Sequence, residues 1–192
     1  MKQMDLLDRI DAVRFLGREF LVFVWWKSEL FEGELEVEGF GKVNLHLDAS
    51  LVLECKKDEL EKSTMRGPAP SATKEAKEAL RAGKLPSRAH IHVVHEEQEF
   101  AFTFNADTMA TAGVKIPALL TEEDDEKFFE RMHLVEKLEA LLGSLYEEFL
   151  RIRLSPEWSS AIAPGLRAWV KEEERLDAAR YDAIRKKVVG RK

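Results

Sequence analysis

The chain has 192 residues, of which 45% are apolar and 9% aromatic, enough for one globular domain with a sizeable core. Its formal net charge of -6 gives no global signal for nucleic acid or for an anionic membrane, although it is compatible with a local basic patch. Cys55 is the only cysteine, which excludes an intrachain disulfide and a cluster of thiolate metal ligands. Acidic residues near the start replace the basic region of a signal peptide, so we expect a cytoplasmic protein with no membrane segment.

The first segment with a clear hydrophobic period is predicted to be a helix over residues 5 to 29. Apolar side chains recur there at helical spacing, and further apolar residues widen the stripe. The stripe contains Leu6, Ile10, Val13, Phe20 and Val24, with Leu16, Leu21 and Trp25 beside them. A stripe of this width indicates a well-buried helix.

Alternating residues after Gly33 predict a small antiparallel meander. The stretches ELEVE and VNLHL alternate around the turn GFG, and a third stretch, LVLEC, follows Ala49 and Ser50. One face of the meander should belong to the core. The residues on that face are Leu35, Val37, Val43, Leu45 and Leu47.

The next segment, residues 56 to 72, is charged at first and then rich in Pro, Gly and Ser, so it is predicted to be a mobile loop. Thr73 is expected to cap a short helix that Gly83 ends. The helix leads directly into the stretch HIHVVHEEQEFAFTF, residues 90 to 104. Its alternation predicts a hairpin with Glu96 and Glu97 as a two-residue turn. In that register Val93 opposes Phe100, Ile91 opposes Phe102 and Ala89 opposes Phe104, and all six face the core.

The histidines of this hairpin raise the question of a metal site. His90 and His92 lie at i and i+2 on the face opposite the core, and such a pair can share a zinc ion if His46 or a carboxylate supplies a third ligand. A solvated face without a metal is the simpler interpretation, and a pH-sensitive or binding role of the imidazoles is a further alternative. We therefore expect no metal and no cofactor.

Residues after the hairpin form a connection with one short extended piece, followed by a long helix. Thr121 is the predicted cap of that helix, ahead of four acidic residues at the positive end of its dipole. The apolar stripe of the helix buries against a sheet or another helix, or forms a dimer seam. It contains Phe128, Met132, Val135, Leu138, Leu142, Leu145, Phe149 and Ile152.

The last part of the chain is helical and ends in a basic tail. Ser155 and Pro156 start one helix, and a second break at Pro164 and Gly165 precedes the final helical segment. The tail is either a solvated helix end or a phosphate-binding surface. Its candidate DNA contacts are Arg185, Lys186 and Lys187.

Together these elements predict an α+β fold, with a small antiparallel sheet of meander and hairpin packed by helices. Residues 1 to 153 form a single domain with the long helix at its end. Residues 154 to 192 form a helical C-terminal extension with the basic tail.

The order of elements resembles a known family. Three successive stretches carry the likeness: LVLECKKDEL, TKEAKEALRAGKLPSRAHIHVVHEEQEFAFTFNADTMATAGVKIP and EKFFERMHLVEKLEALLGSLYEEF. In this order they resemble the C-terminal half of the RdgC family of recombination-associated, nucleoid-associated bacterial proteins. That family shows a strand running into a Lys-Lys loop, a helix ending in a pattern like xAGK, a hairpin, and a final helix of the type LxxLIxxLxxxLGG. The segment FLGREFLVFVWWKSE resembles shorter members, so the likeness covers roughly residues 14 to 153.

This resemblance implies a DNA-binding protein rather than an enzyme. Members bind double-stranded DNA with little sequence preference, as homodimers that in longer members close into a ring, and they restrain a recombinase. Lys56 and Lys57 match the basic pair of the family's DNA-facing loop, and Lys84 matches the lysine after the helix. Asp58 stands where the family has an uncharged residue, and the chain lacks the N-terminal half of the long members.

Charge alone adds Lys62 and Arg66 to the candidate phosphate contacts. Two other functional classes remain as alternatives. One is a protein-interaction or structural module on the same scaffold, without DNA binding; the homodimer of the DNA-binding class, by contrast, would form through the first helix with its Trp25 and Trp26 or through the long helical stripe. The other is a metal-dependent nuclease built on His90 and His92.

Overall fold

A computed structural model of the chain describes residues 6–57, 59–172 and 176–190. It contains five α-helices in this part of the chain: α1 (Leu6–Leu30), α2 (Lys74–Arg81), α3 (Asp124–Arg153), α4 (Ala163–Lys171) and α5 (Ala178–Val189). A π-helical turn, Trp158–Ile162, joins α3 to α4, and a 3₁₀ turn, Pro70–Ala72, precedes α2. None of the described helices is both long and apolar enough to cross a bilayer.

The strands form one antiparallel sheet, which confirms the predicted α+β class. They are β1 (Glu34–Val37), β2 (Gly41–Lys57), β3 (Glu59–Gly67), β4 (Leu85–His95), β5 (Gln98–Asn105) and β6 (Ala110–Lys115). The order across the sheet is β1-β2-β4-β5-β6, and β3 pairs with the far half of β2. Alternate residues of the central strands are buried beneath the helices, so one face of the sheet builds the core and the other carries polar side chains.

Helix α1 supplies the centre of the core. Its predicted span agrees with the structure to within a residue, and its wide apolar stripe buries Phe20, Phe23, Trp25 and Trp26 to 2% exposure or less. Phe20 packs edge-on against Phe104 of β5, with ring centroids 5.7 Å apart. Because Trp25 and Trp26 are internal, the predicted alternative of a dimer through these tryptophans is wrong.

The predicted meander core and the hairpin register are confirmed. Val93 pairs with Phe100, Ile91 with Phe102 and Ala89 with Phe104, all on the buried face. Glu96 and Glu97 have φ of 50° and 67°, the two positive values that a type I′ two-residue turn requires.

The prediction of a mobile loop at residues 56 to 72 is wrong, since most of this segment is strand β3. It pairs with β2 along its whole length, from the pair of Ala49 with Gly67 to the pair of Lys57 with Glu59. The two stretches VNLHL and LVLEC are likewise one strand, β2, with a bulge between Asp48 and Leu51 where Ala49 has φ of 52°. Charged residues suit the exposed side of an edge strand, so the composition of β3 resembles that of a loop although its backbone is paired.

Helix α3 differs from its prediction at its start and along its stripe. Glu123 occupies the N-cap position, and the Thr121 hydroxyl instead donates to Glu130 at 2.8 Å. The predicted stripe divides between two faces of the helix. Leu138, Leu145, Phe149 and Ile152 are buried, whereas Phe128, Met132 and Val135 are exposed.

The C-terminal helices pack on the same core as the rest of the chain. Trp169 of α4 meets Trp25 edge-on, with ring centroids 5.2 Å apart, and Tyr181 of α5 meets Trp26 at 5.5 Å. Both residues are at most 1% exposed. The predicted division at residues 153 and 154 therefore does not separate two cores.

Candidate nucleic-acid interface

The face of the sheet opposite the helices carries the polar residues of β4. Burial alternates along this strand, so that Ala89, Ile91 and Val93 are internal while Arg88, His90 and His92 lie on the other side. Arg88 is exposed. Its position follows from the same period of two that places the histidines there.

Strand β3 extends this face with two further cations. Lys62, Thr64 and Arg66 are the exposed alternate residues of β3, whereas Met65 packs against the core. Thr64 is the register partner of Val52 on β2, and Val52 is the partner of Arg88 on β4. Directly opposed residues of antiparallel strands share a face. Three cationic side chains, Lys62, Arg66 and Arg88, therefore lie on one side of three adjacent strands.

Lys84 reaches the same strand from the end of α2. Its Nζ donates to Ser63 Oγ at 3.0 Å, so this predicted contact residue lies against β3. Lys62 is 48% exposed, and its Nζ is 3.9 Å from a carboxylate oxygen of Glu54. Lys62, Arg66 and Lys84 thus lie along one strand, but Ser63 has the parity of Met65, so Lys84 is on the side of β3 opposite Lys62 and Arg66.

Lys56 and Lys57 lie at the end of the hairpin that β2 and β3 form. Their backbones close the end of the β2–β3 ladder, where Lys56 pairs with Leu60 and Lys57 with Glu59. Their side chains and residue 58 lie outside the described part of the structure. The predicted basic loop of the family pattern is therefore the tip of a two-stranded ribbon.

An ion-pair network fixes β2 to its neighbours near this end of the sheet. Arg18 of α1 donates to both carboxylate oxygens of Asp107, at 2.7 and 2.9 Å, and to Glu54 at 3.2 Å. The hydrogen bond to Asp107 raises the pKa of Arg18, and the nearby charges act in the same direction against the opposing effect of burial. This network positions β2 rather than offering a free cation.

The histidines of the polar face pair with carboxylates. His90 Nδ1 lies 2.6 Å from Asp48, and His92 Nε2 lies 2.7 Å from Glu99. His46 is the register partner of His92. No group of three or more potential metal ligands forms among the described residues, so His90 and His92 gain no third ligand there.

The predicted basic tail is divided by the fold. Arg185 is 16% exposed and lies 3.1 Å from the buried carboxylate of Glu148, so it serves the interior and not a phosphate. Lys187 pairs with Glu157, whereas Lys186 is exposed. Because Arg185 is engaged by Glu148, the tail is a weaker candidate surface than β3.

Arg88 is the member of the polar face that the sequence analysis did not identify. It stands two residues before His90, in a strand whose alternation the sequence predicts, so the side of the sheet on which Arg88 lies follows from the sequence.

Comparison of the chain with protein-family models, with curated proteins and with solved structures finds no match. The resemblance to the RdgC family accordingly stays a prediction.

Proposed function

We propose that the protein binds double-stranded DNA through the phosphate backbone, with little sequence preference. The observation that carries the proposal is the arrangement of Lys62, Arg66 and Arg88 on one polar face. Guanidinium and ammonium groups neutralise phosphates, and the hydroxyl of Thr64 between them can donate to phosphate oxygens without reading a base. The local basic cluster explains how a chain of net charge -6 would still attract a polyanion.

The proposed activity is binding without chemistry. Each phosphate neutralised releases condensed counterions, and this release drives the association. The resemblance to the RdgC family extends the proposal to an accessory protein of recombination in the nucleoid, which limits access of a recombinase to the DNA it covers. A metal-dependent nuclease has less support, because the described residues bring no three potential metal ligands together.

A salt titration of binding to a labelled random-sequence duplex tests this proposal. The variant Lys62→Ala/Arg66→Ala/Arg88→Ala should bind more weakly, and the slope of log K against log salt should become shallower by roughly 2–3 for three lost phosphate contacts. Lys56→Ala/Lys57→Ala, tested separately, should also weaken binding if the ribbon tip contacts the duplex.

Arg167→Ala is the control for the single variants Arg66→Ala and Arg88→Ala, which remove the same charge, because Arg167 is an exposed cation on α4, on the helical side of the sheet. It should leave the slope unchanged. Absence of binding at low ionic strength would refute the proposed function. Equal losses of affinity in Arg66→Ala, Arg88→Ala and Arg167→Ala would refute the assignment of the polar face.

A further inference from the structure

The first half of α3 presents large apolar side chains that the fold does not bury. Phe128 is 58% exposed, Phe129 68%, Met132 45% and Val135 37%. Single exposed apolar residues are ordinary, but four within eight positions form a contiguous patch of the kind that marks interaction sites. The polar face of the sheet contains none of these residues, so the patch is independent of the proposed DNA-binding surface.

The patch is a second apolar face of α3 and not an extension of its core face. Leu134, Leu138 and Leu141 are the buried residues of this part of the helix. At about 100° per residue, the centre of Phe128, Met132 and Val135 lies roughly 120° around the helix from them. The exposed residues also follow a spacing of four and then three, which is the spacing of a helix–helix seam. We call Phe128, Met132 and Val135 the α3 seam.

We propose that the α3 seam is the contact between two copies of this chain, with their α3 helices side by side and in the same direction. The argument for a second copy is charge complementarity. In a parallel pair of helices, the residue just before a seam position pairs with a residue of the partner helix whose number is five higher. Arg131 precedes Met132, and Glu136 follows Val135, so each Arg131 faces Glu136 of the second copy.

Both flanking residues are available for this pairing. Arg131 and Glu136 are exposed, and neither makes an ion pair within the part of the chain that the structure describes. A two-fold axis between the helices repeats the Arg131–Glu136 contact on both sides of the seam. The flanking charges thus match a copy of the same helix in a single register.

The same residues disfavour the antiparallel arrangement. If Met132 packed against Phe128 of an oppositely directed copy, Val135 would meet Asp125 and the two Arg131 side chains would approach each other. Like charges at such positions oppose association. Asp125 and Glu139, at the next seam positions on either side, limit the parallel contact to three apolar layers, so the dimer dissociates on dilution.

Sedimentation equilibrium of the full chain over a wide concentration range tests the contact. The wild type should show a reversible monomer–dimer equilibrium. Met132→Glu should weaken dimerisation at least about tenfold, because it places a charge in the apolar seam. Ala140→Glu adds the same charge at another exposed position of α3, away from the seam, and should leave the equilibrium unchanged.

Charge reversal tests the register. Arg131→Glu and Glu136→Arg should each weaken the dimer, and the double variant should restore it. A chain that is monomeric at all concentrations overturns the proposal, and so does a dimer that none of the charge changes affects. Circular dichroism of each variant verifies that its helices are formed. A chain that binds DNA but stays monomeric at all concentrations would refute this contact without affecting the proposed function, and a chain that dimerises but does not bind DNA would do the reverse.

Discussion

Lys27 of α1 donates a hydrogen bond of 2.7 Å to Glu148 of α3, across 121 positions of sequence. Each of the two side chains is 2% exposed. Tyr181 of α5 donates to the same carboxylate oxygen at 2.6 Å, and Arg185 Nε lies 3.1 Å from the other oxygen. One buried carboxylate therefore joins three helices, and the fold depends on its remaining charged.

Removal of Glu148 is expected to destabilise the protein more than removal of Lys27. Glu148→Leu leaves the buried Lys27 and the partly buried Arg185 without their anion, at a cost of about 3–5 kcal/mol of unfolding free energy. Lys27→Met costs less, because Tyr181 and Arg185 still engage the carboxylate. The double variant should be more stable than the sum of the single losses predicts. Urea denaturation of the four proteins measures this coupling, and simple additivity would contradict it.

Stability at alkaline pH should depend on Tyr181. Burial raises the pKa of Tyr181 well above its usual 10.0, with Glu148 acting in the same direction. The folded protein therefore keeps a proton that the unfolded chain loses above about pH 10, so this tyrosine lowers stability by about 1.4 kcal/mol per pH unit there.

Tyr181→Phe removes that contribution, although it also removes a hydrogen bond to Glu148 at every pH. The neighbouring Lys27 has a pKa lowered by burial, which acts oppositely on stability but is present in both proteins. The stability difference between wild type and variant should therefore shrink as pH rises above 10. Guanidinium denaturation from pH 8 to 11 measures it, and a constant difference would show that Tyr181 does not titrate as argued.

The structure of the β4–β5 hairpin could be predicted from the sequence because the features that determine it are local. A two-residue turn and a period of two determine which residue of β4 faces which residue of β5, and they also determine the side of the sheet on which His90 and His92 lie. The same rule applied two residues earlier identifies Arg88. This part of the candidate interface was thus predictable from parity alone.

Strand β3 and helix α3 required information that is not local. The partner of β3 is the far half of β2, and nothing in the charged stretch itself shows that its backbone is paired. In α3 the buried and exposed apolar residues have similar spacing, so periodicity merges two faces into one stripe. Only the packing of the helix on the rest of the fold separates Leu134, which is buried, from Met132, which is exposed.

Gly17 should tolerate no side chain. A Cβ at this position of α1 would stand 1.9 Å from the backbone oxygen of Ala106, at the end of β5, so Gly17→Ala must separate helix from sheet. We expect a loss of about 1–3 kcal/mol or more. Gly143→Ala is the control, since a Cβ there meets nothing within 4 Å in α3, and it should stabilise by roughly 0.5–1 kcal/mol. Thermal unfolding should therefore move in opposite directions, and a neutral Gly17→Ala would refute the close approach.

Trp169 should make the C-terminal helices indispensable to the fold. Its Nε1 donates to Glu29 at 2.7 Å, and Lys77 Nζ lies 3.2 Å from the centroid of its ring while also donating to Glu29 at 2.9 Å. Trp169→Ala is expected to cost about 3–5 kcal/mol, because it opens a cavity beside Trp25 and uncovers a buried cation. Arg167→Ala, on the exposed side of the same helix, should stay within about 0.5 kcal/mol of wild type.

A chain that ends at residue 153 lacks Trp169 and Tyr181, so it should not show a cooperative unfolding transition. A stable fragment that unfolds cooperatively would show instead that residues 6–153 form an independent core.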